Sequence, residues 1–206
     1  ECRNGLEKLC TQLTGIRKKA SGTLVKKIRQ GLVDLNFLDV EFDMEFEKLD
    51  HFTPSGWDGA QFLISTNPGQ PMRPLKDVAS GGELSRIMLA IKTVLADSDD
   101  IPTLIFDEID TGISGRTAQK VSEKLMLIAR SHQVICITHL PQIAAMADSH
   151  FEIAKSASQG RTITTIRLLD RQASVEELAR LLGGARITEA VLKNAGEMKE
   201  LADRTK

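Results

Sequence analysis

Hydrophobic residues in the first 35 positions recur at the spacing of an α-helix. The first part of the segment alternates steps of three and four residues, as in the seam of a coiled coil, at Leu6, Leu9, Leu13, Ile16 and Ala20. Steps of four residues follow, as in a helix packed on a domain, at Leu24, Ile28, Leu32 and Leu35. We predict that residues 1–35 are the end of a coiled-coil arm entering a globular head. An ordinary amphipathic surface helix is the alternative.

The following segments have the patterns of strands. Residues 40–47 alternate strictly between apolar and acidic side chains, which predicts a half-buried strand with an acidic outer face. Residues 51–59 are rich in turn formers, so we expect a loop there. Residues 60–66 then predict a second strand.

Two short apolar runs, residues 103–106 and 134–137, lie on either side of a helical pattern. The inward positions of that helix are Ala118, Val121, Leu125 and Ile128. Strand–helix–strand order with unbroken apolar runs is typical of buried strands in a parallel sheet. The sequence therefore predicts an α/β fold in which a largely parallel sheet is flanked by helices.

The last part of the chain predicts an antiparallel segment and two helices. Residues 150–154 and 162–168 form a predicted hairpin, joined across residues 156–160. Ser174-Val-Glu-Glu177 has the pattern of a capping box for a helix that runs through Leu182. A final helix runs from about Thr188 to Ala202, with predicted inward residues Val191, Ala195, Met198 and Leu201.

A Ser80-Gly-Gly turn runs directly into a helical pattern with one apolar face. It places the serine hydroxyl and the first amides at a helix N-terminus, where unpaired N–H groups and the helix dipole suit an anion such as phosphate. Taken alone, the turn is also consistent with a plain helix cap.

Polar side chains follow both predicted buried strands. Asp107 and Glu108 come directly after residue 106, and His139 comes shortly after residue 137. In open α/β sheets, ligands bind at the carboxyl ends of the strands. Two adjacent carboxylates are costly to bury without a cation, so we predict a Mg²⁺ site at Asp107 and a general base at Glu108. An exposed acidic pair is the alternative.

Composition limits the class of protein. The 206 residues carry a net charge of −1, and no apolar run is long enough to cross a bilayer, so we expect no membrane partner. Three cysteines without paired spacing fit a reducing cytoplasm. Basic residues cluster at positions 17–29, either as a solvated helix face or as a contact to DNA phosphates.

Four motifs occur in a specific order: Ala79-Ser-Gly-Gly-Glu83, Leu104-Ile-Phe-Asp-Glu108, Asp110-Thr-Gly-Ile-Ser114 and Ile137-Thr-His139. They resemble the signature motif, Walker B motif, D-loop and H-loop of the ABC-type ATPases. The glutamate after the two glycines and the coiled-coil pattern resemble the SMC-like branch of that family. The resemblance implies that residues 36–206 are the C-terminal lobe of an ATPase head.

The resemblance also implies roles for single residues. The signature motif would bind the γ-phosphate of an ATP held by the opposite head of a dimer, through Ser80, Gly81, Gly82 and Glu83. The D-loop would join the two heads, through Asp110, Gly112 and Ser114. Asp107 would orient Mg²⁺ through water, Glu108 would activate the attacking water, and His139 would contact the γ-phosphate.

One motif of the family has no counterpart in the sequence. A P-loop needs a Gly-Lys pair, and none occurs in the chain. The resemblance then implies that the Walker A motif lies in an N-terminal lobe, before the coiled coil. Because the chain opens at Glu1 in mid-pattern, we interpret it as an internal fragment of a longer protein that is inactive alone.

The resemblance implies a function as half of an ATP-hydrolysing head in bacterial DNA repair and recombination. The expected partners are the N-terminal lobe, a second head in a homodimer, and DNA, with ATP and Mg²⁺ bound; the location would be the cytoplasm, at the nucleoid. A non-catalytic dimerisation or DNA-tethering module is the main alternative. A transporter-type domain is disfavoured by the acidic strand at residues 40–47 and by the coiled-coil pattern.

Overall fold

The computed structural model describes residues 1–78, 80–98, 100–158, 161–184 and 186–206, which form two compact units, Glu1–Ile101 and Pro102–Lys206. The first unit contains α1 (Cys2–Asp34), β1 (Glu41–Thr53), β2 (Gly56–Ser65), β3 (Arg73–Pro74) and α2 (Gly81–Leu95). The second unit contains β4 (Thr103–Phe106), α3 (Gly115–Ala129), β5 (Gln133–Cys136), α4 (Pro141–Ala145), β6 (Phe151–Ser158), β7 (Arg161–Leu168), α5 (Arg171–Gly183) and α6 (Glu189–Thr205). None of the helices in the described ranges is both long and apolar enough to cross a membrane.

Helix α1 confirms the long helix predicted for the first 35 residues. Near its C-terminal end, Ile28 and Leu32 are fully buried, and a Cβ built on Gly31 would lie 3.5 Å from the Cβ of Ala90 on α2. Near its N-terminal end, Leu9 and Ile16 are exposed. One end of the helix is thus packed, while the apolar seam at the other end is open. The domain boundary at residues 35 and 36 stays a prediction.

Strands β1 and β2 form a longer hairpin than the sequence predicted. Their register runs from the Glu41–Ser65 pair to the Thr53–Gly56 pair, with an irregularity between Lys48 and Thr53. The expected loop at residues 51–59 is therefore wrong. Only Pro54 and Ser55 form the turn, because the aromatic rings of Phe52 and Trp57 stack across the hairpin with centroids 5.9 Å apart.

A polar cluster, the hairpin clamp (Thr14, Arg17, Trp57 and Asp58), fastens this hairpin to α1. Thr14 Oγ1 donates to Asp58 Oδ1 at 2.6 Å, and Arg17 donates to Asp58 Oδ2 at 2.8 Å. Trp57 Nε1 donates to Thr14 Oγ1 at 3.0 Å. The hydrogen bond from Thr14 and the charge of Arg17 lower the pKa of Asp58, although burial opposes them. The carboxylate is therefore held in its charged form.

Strands β4 and β5 confirm the predicted parallel pair, with Thr103 opposite Gln133 and Phe106 opposite Cys136. Helix α3 buries the four inward residues predicted from the sequence, Ala118, Val121, Leu125 and Ile128. The prediction that both strands are buried on both faces is wrong. Ile105 is 68% exposed and Ile135 is 45% exposed, because no described element covers that face of the pair. The other strands are antiparallel in the sheets β1–β2–β3 and β6–β7.

The two C-terminal helices differ from the prediction in detail. Helix α5 starts before the expected capping box, because the Asp170 carboxylate accepts a hydrogen bond from the Ala173 amide and caps it. Helix α6 begins close to the predicted residue, at Glu189, and is capped by Thr188. Its Leu201 is exposed rather than inward, and Ala202 is buried instead. Strands β6 and β7 confirm the predicted hairpin, although Gln159 and Gly160 lie outside the described residues.

Candidate functional site

The carboxyl ends of β4 and β5 bring the predicted strand-end residues to one edge of the second unit. Asp107 and Glu108 follow Phe106, and Thr138 and His139 follow Ile137, whose amide donates to the Phe106 carbonyl at 3.0 Å. That bond extends the parallel ladder by one step beyond the strands. It therefore fixes the two polar ends next to each other.

Asp110 ties these two ends together. Its Oδ2 atom accepts from the Thr138 hydroxyl at 2.6 Å and from the His139 amide at 2.8 Å. The same oxygen lies 3.0 Å from His139 Nδ1. Because the Asp110 side chain is 5% exposed, its carboxylate is committed to this contact. The side chain faces the strand ends, and the expected D-loop role of Asp110 stays a prediction.

This positioning role of Asp110 and Thr138 was missed in the sequence. The signal was present, because a hydroxyl residue directly before His139 is well placed to meet a carboxylate from the neighbouring strand. Spacing alone could not show which of the three nearby acids, Asp107, Glu108 or Asp110, turns inward.

His139 is held by its backbone and by one ring nitrogen. The side chain is 71% exposed, although Nδ1 contacts Asp110. A proton on Nδ1 suits the carboxylate, and that tautomer is assigned from the contact. The geometry of the imidazole ring then leaves Nε2 on the far side from Asp110, open to a ligand.

Glu108 has an unusual backbone conformation. Its φ angle is +56°, in the left-handed region that non-glycine residues seldom adopt. Such strain costs on the order of 1–3 kcal/mol and is concentrated at functional sites. The Glu108 amide donates to Asp107 Oδ1 at 2.9 Å, and the Glu108 carbonyl accepts from the Thr111 amide at 3.0 Å. These bonds hold the turn that exposes the Glu108 side chain.

Asp107 fits a Mg²⁺ site better than it fits a site for a softer metal. Mg²⁺ binds through one or two carboxylates and keeps several waters or phosphate oxygens. Within the described residues there is no group of three or more His, Cys, Asp or Glu side chains that could enclose a metal. Asp107 is exposed at the end of β4, where one carboxylate can meet a hydrated ion beside a phosphate.

Cys136, at the end of β5, is chemically quiet. Burial, together with the charges of Asp110 and Asp107, raises the pKa of its thiol to about 12. A thiol is nucleophilic only as a thiolate. Cys136 therefore contributes packing to this edge, as a free cysteine among apolar neighbours usually does.

The signature residues lie in the first unit, at the start of α2. Ser80 is the N-cap, and its Oγ accepts from the Glu83 amide at a long 3.4 Å. Ser80 and Gly81 are exposed and Gly82 is buried. The first amides of the helix point out of its end, as an anion site needs. Ala79, the first residue of the motif, lies outside the described residues.

The rest of the D-loop is an exposed turn in the second unit. Gly112 and Gly115 have φ angles of +73° and +50°, which glycine adopts without strain. Ser114 is the N-cap residue of α3, but its side chain makes no capping hydrogen bond. Gly112 and Ser114 are therefore presented to solvent at the surface, unlike Asp110.

These features together define a fold class. The parallel pair with polar strand ends, the serine-capped helix and the long leading helix belong to an α/β fold like that of Smc head domains. The fold is similar to a solved Smc head domain with a coiled coil and joint from Pyrococcus yayanosii, with a TM-score of 0.55 and 20% identity over 79% of this chain and 29% of that one. An Smc head domain from Pyrococcus furiosus gives a TM-score of 0.51 and 19% identity over 80% and 39% of the two chains.

Within this class, the chain is similar to the DNA repair protein RecN. It is 43% identical to RecN of Halalkalibacterium halodurans over 97% of this chain and 36% of that protein. It is 42% identical to RecN of Bacillus subtilis over 93% and 36%, and 45% identical to RecN of Vibrio cholerae over 88% and 33%. The chain thus spans about a third of the length of these relatives. No protein-family model matches it.

Proposed function

We propose that the chain is the C-terminal half of an ATP-hydrolysing head in a RecN-like protein of DNA double-strand-break repair. The observation that supports this most is the edge where β4 and β5 end. It places a carboxylate for a metal (Asp107), a strained carboxylate beside it (Glu108) and an oriented imidazole (His139) on one side of a sheet. Two relatives that are 43% and 42% identical to the chain are named DNA repair proteins.

Each residue has a distinct role in phosphoryl transfer. Asp107 would hold Mg²⁺ through water, and the bound ion would supply positive charge beside the phosphates of ATP. Glu108 accepts a proton from the attacking water, as a general base. His139 presents Nε2 to the γ-phosphate, while Asp110 and Thr138 keep the ring in place. Little covalent chemistry is needed, because phosphoryl transfer depends on positioning and charge stabilisation.

The signature turn acts on a nucleotide held by a second head. A hydroxyl can accept and donate at once, so Ser80 can keep its bond from the Glu83 amide and still donate to a phosphate oxygen. The exposed Gly81 amide and the dipole of α2 add to that site. Gly112 and Ser114 contact the opposite head. ATP therefore links two heads into a homodimer.

The bare face of the β4–β5 pair supports the need for a complementary lobe. A parallel sheet is stable when both its faces are covered, and Ile105 and Ile135 here are left exposed. Ile137, which follows β5, is exposed as well. The N-terminal lobe, which carries the Walker A motif, covers this face and supplies the phosphate-binding loop that the present sequence does not contain. By itself, the chain neither binds ATP tightly nor hydrolyses it.

The signature contact can be tested by a steric block. We would combine the chain with its N-terminal lobe and measure ATP-dependent dimerisation by analytical ultracentrifugation, with and without Ser80→Arg. We expect the variant head to bind ATP but to remain monomeric, because an arginine fills the space of the trans phosphate. Ser98→Arg, at an exposed position of the same unit, is the matched control and should dimerise normally. If Ser80→Arg dimerises as well as the parent, the trans contact is wrong, and a non-catalytic tethering module becomes the better description.

A further inference from the structure

Helix α1 has an excess of positive charge along most of its length. Between Lys8 and Val33 it carries seven basic residues and no acidic one. Arg17 belongs to the hairpin clamp. The other six are all exposed, and within the described parts of the chain none of them forms an ion pair: Lys8, Lys18, Lys19, Lys26, Lys27 and Arg29.

Five of these six cations lie on one side of the helix. At about 100° per residue, they fall within an arc of roughly 100°, which we name the basic stripe: Lys8, Lys18, Lys19, Lys26 and Arg29. Lys27 lies outside the arc. The packed side of the helix, which includes Cys10, Ile28 and Leu32, is on a different face. The stripe therefore faces solvent.

The middle of the basic stripe has unusually little bulk. Gly15 and Gly22 lie within the arc, and a Cβ built on either residue would meet nothing within 4 Å. Glycine inside a helix costs about 1 kcal/mol relative to alanine, so two of them on one face weaken the helix. Glycine also lets a ligand approach the backbone closely. The stripe is thus a shallow strip with long cationic side chains along it.

We propose that the basic stripe binds the phosphate backbone of duplex DNA. Lys8 and Arg29 are 21 residues apart, which spans about 32 Å along an α-helix and approaches one turn of B-DNA. Duplex DNA presents a dense row of phosphates over that distance, and lysine and arginine neutralise them without reading the sequence. This proposal rests on the DNA-repair function proposed above and names the surface that meets the DNA.

The composition of the stripe favours a nucleic acid over an acidic protein. From Lys8 to Arg29 the arc contains only lysine, arginine, glycine and one threonine, Thr11. Protein interfaces depend on buried aromatic or aliphatic anchors at their centre. The stripe has none, whereas a polyanion needs only the charges.

The test compares two neighbouring lysines on different faces of the same helix. We would measure binding of the 206-residue chain to fluorescent duplex DNA by anisotropy, from about 50 to about 200 mM salt. Lys26→Gln should make the slope of log K against log salt shallower by about 0.9, the value for one phosphate contact. Lys27→Gln should change it by less than half as much. The triple variant Lys19→Gln, Lys26→Gln, Arg29→Gln should make the slope shallower by about 2.7. Lys18 is left intact because its charge supports Asp58 in the hairpin clamp.

The results that would overturn the proposal are specific. It is wrong if the triple variant keeps the parental slope, if Lys26→Gln and Lys27→Gln behave alike, or if polyglutamate of equal charge displaces the chain from DNA more effectively than unlabelled duplex. Circular dichroism melts would establish that each variant is folded.

A second experiment, on the head reconstituted with its N-terminal lobe, separates the DNA-binding proposal from the ATPase proposal. If ATP turnover is present and equal in parent and triple variant while the slope is unchanged, only the stripe is wrong. A changed slope without any turnover supports the stripe and contradicts the ATPase.

Discussion

At the scale of single residues, the site depends on which carboxylate turns inward. Asp107, Glu108 and Asp110 are close in sequence, yet only Asp110 is buried, where it accepts from the Thr138 hydroxyl and the His139 amide. The other two carboxylates stay exposed at the strand end. Glu108, with its left-handed backbone, lies between Asp107 and the turn that contains Asp110. Asp110 is thus the positioning candidate, and the exposed Asp107 and Glu108 are the carboxylates that we propose as metal ligand and general base.

Removing the Thr138 hydroxyl should disturb His139 without removing any group that touches ATP. Thr138→Val deletes a charge-assisted hydrogen bond of 2.6 Å, a change worth about 1.5–3 kcal/mol. We expect slower ATP turnover in the reconstituted head and little change in the affinity for ATP. Thr138→Ser keeps the hydroxyl and should restore turnover. Equal losses in both variants would mean that packing matters at this position rather than the hydrogen bond.

Cys136 should resist thiol reagents in the folded chain. With a pKa of about 12, its thiolate is scarce at neutral pH. Titration with Ellman's reagent should label the exposed Cys2 quickly and leave Cys136 unmodified until the chain is denatured. Because Cys10 is buried, a Cys10→Ser background isolates the comparison. Rapid labelling of Cys136 in that background would contradict the burial described here.

At the scale of elements, the hairpin clamp joins the long helix to the sheet of the first unit. The Asp58 side chain is 4% exposed and is bonded by Thr14 and Arg17. Hydrogen bonds depend on the angle between donor and acceptor, so these two bonds fix the orientation of the hairpin on α1 more strictly than apolar contacts do. Movement of α1 should therefore be transmitted to β1 and β2 through the clamp.

Asp58→Asn should destabilise the first unit. The variant keeps the shape of the side chain but loses the charge that Arg17 needs, and we expect a loss of about 2 kcal/mol in the free energy of unfolding. Since the pKa of Asp58 is lowered in the folded chain, its contribution is complete above the ordinary carboxyl pKa and is lost as pH falls through the lowered value. Urea unfolding of parent and variant should therefore converge at strongly acidic pH. A constant difference at all pH values would refute the assignment.

The contact between His150, directly before β6, and Ser174 on α5 should make the second unit sensitive to mild acid. His150 Nδ1 lies 2.8 Å from Ser174 Oγ, and burial lowers the pKa of His150 below its ordinary value, despite the nearby Glu177. A histidine with a lowered pKa stabilises the fold above its unfolded pKa of about 6.5, and this stability is lost as pH falls below that value. The melting temperature should drop between about pH 7 and pH 5. His150→Gln, which cannot be protonated, should show a smaller drop, and an equal drop would remove His150 as the cause.

The elements were largely predictable from the sequence, but their surroundings were not. Spacing located α1, α3 and the strand pair β4–β5, because periodicity depends on local geometry. It failed at residues 51–59, where turn-forming residues proved compatible with a long hairpin once Phe52 and Trp57 could stack. The spacing also failed to predict that Ile105 is exposed. An apolar strand has the same sequence pattern whether or not another layer of the same chain covers it.

The same limit applies to the site. The strand-end positions of Asp107, Glu108 and His139 followed from the order of strand, helix and strand. The inward turn of Asp110 did not, because it depends on a long-range contact to Thr138, 28 residues away. Contacts of this kind are set by the packing of two strands and leave no periodic signal.

At the scale of the whole molecule, the chain carries only part of what the proposed ATPase head needs. It contains candidates for a metal carboxylate, a general base and a signature serine, but no Gly-Lys pair to cradle a nucleotide. It also leaves an apolar sheet face uncovered, and it spans about a third of its RecN relatives. They support the proposal of a lobe that works only when it is completed by another lobe and paired with a second head.

The most direct measurement is steady-state ATP turnover by the chain alone, by the chain with its N-terminal lobe, and by the same mixture with Glu108→Gln. We expect no turnover alone, turnover in the mixture, and a loss of roughly 10²–10⁴-fold with Glu108→Gln, the usual contribution of a general base. Glu197→Gln, an exposed carboxylate on α6, should have no effect. Turnover by the chain alone that Glu108→Gln abolishes, or full activity of the Glu108→Gln mixture, would contradict the account.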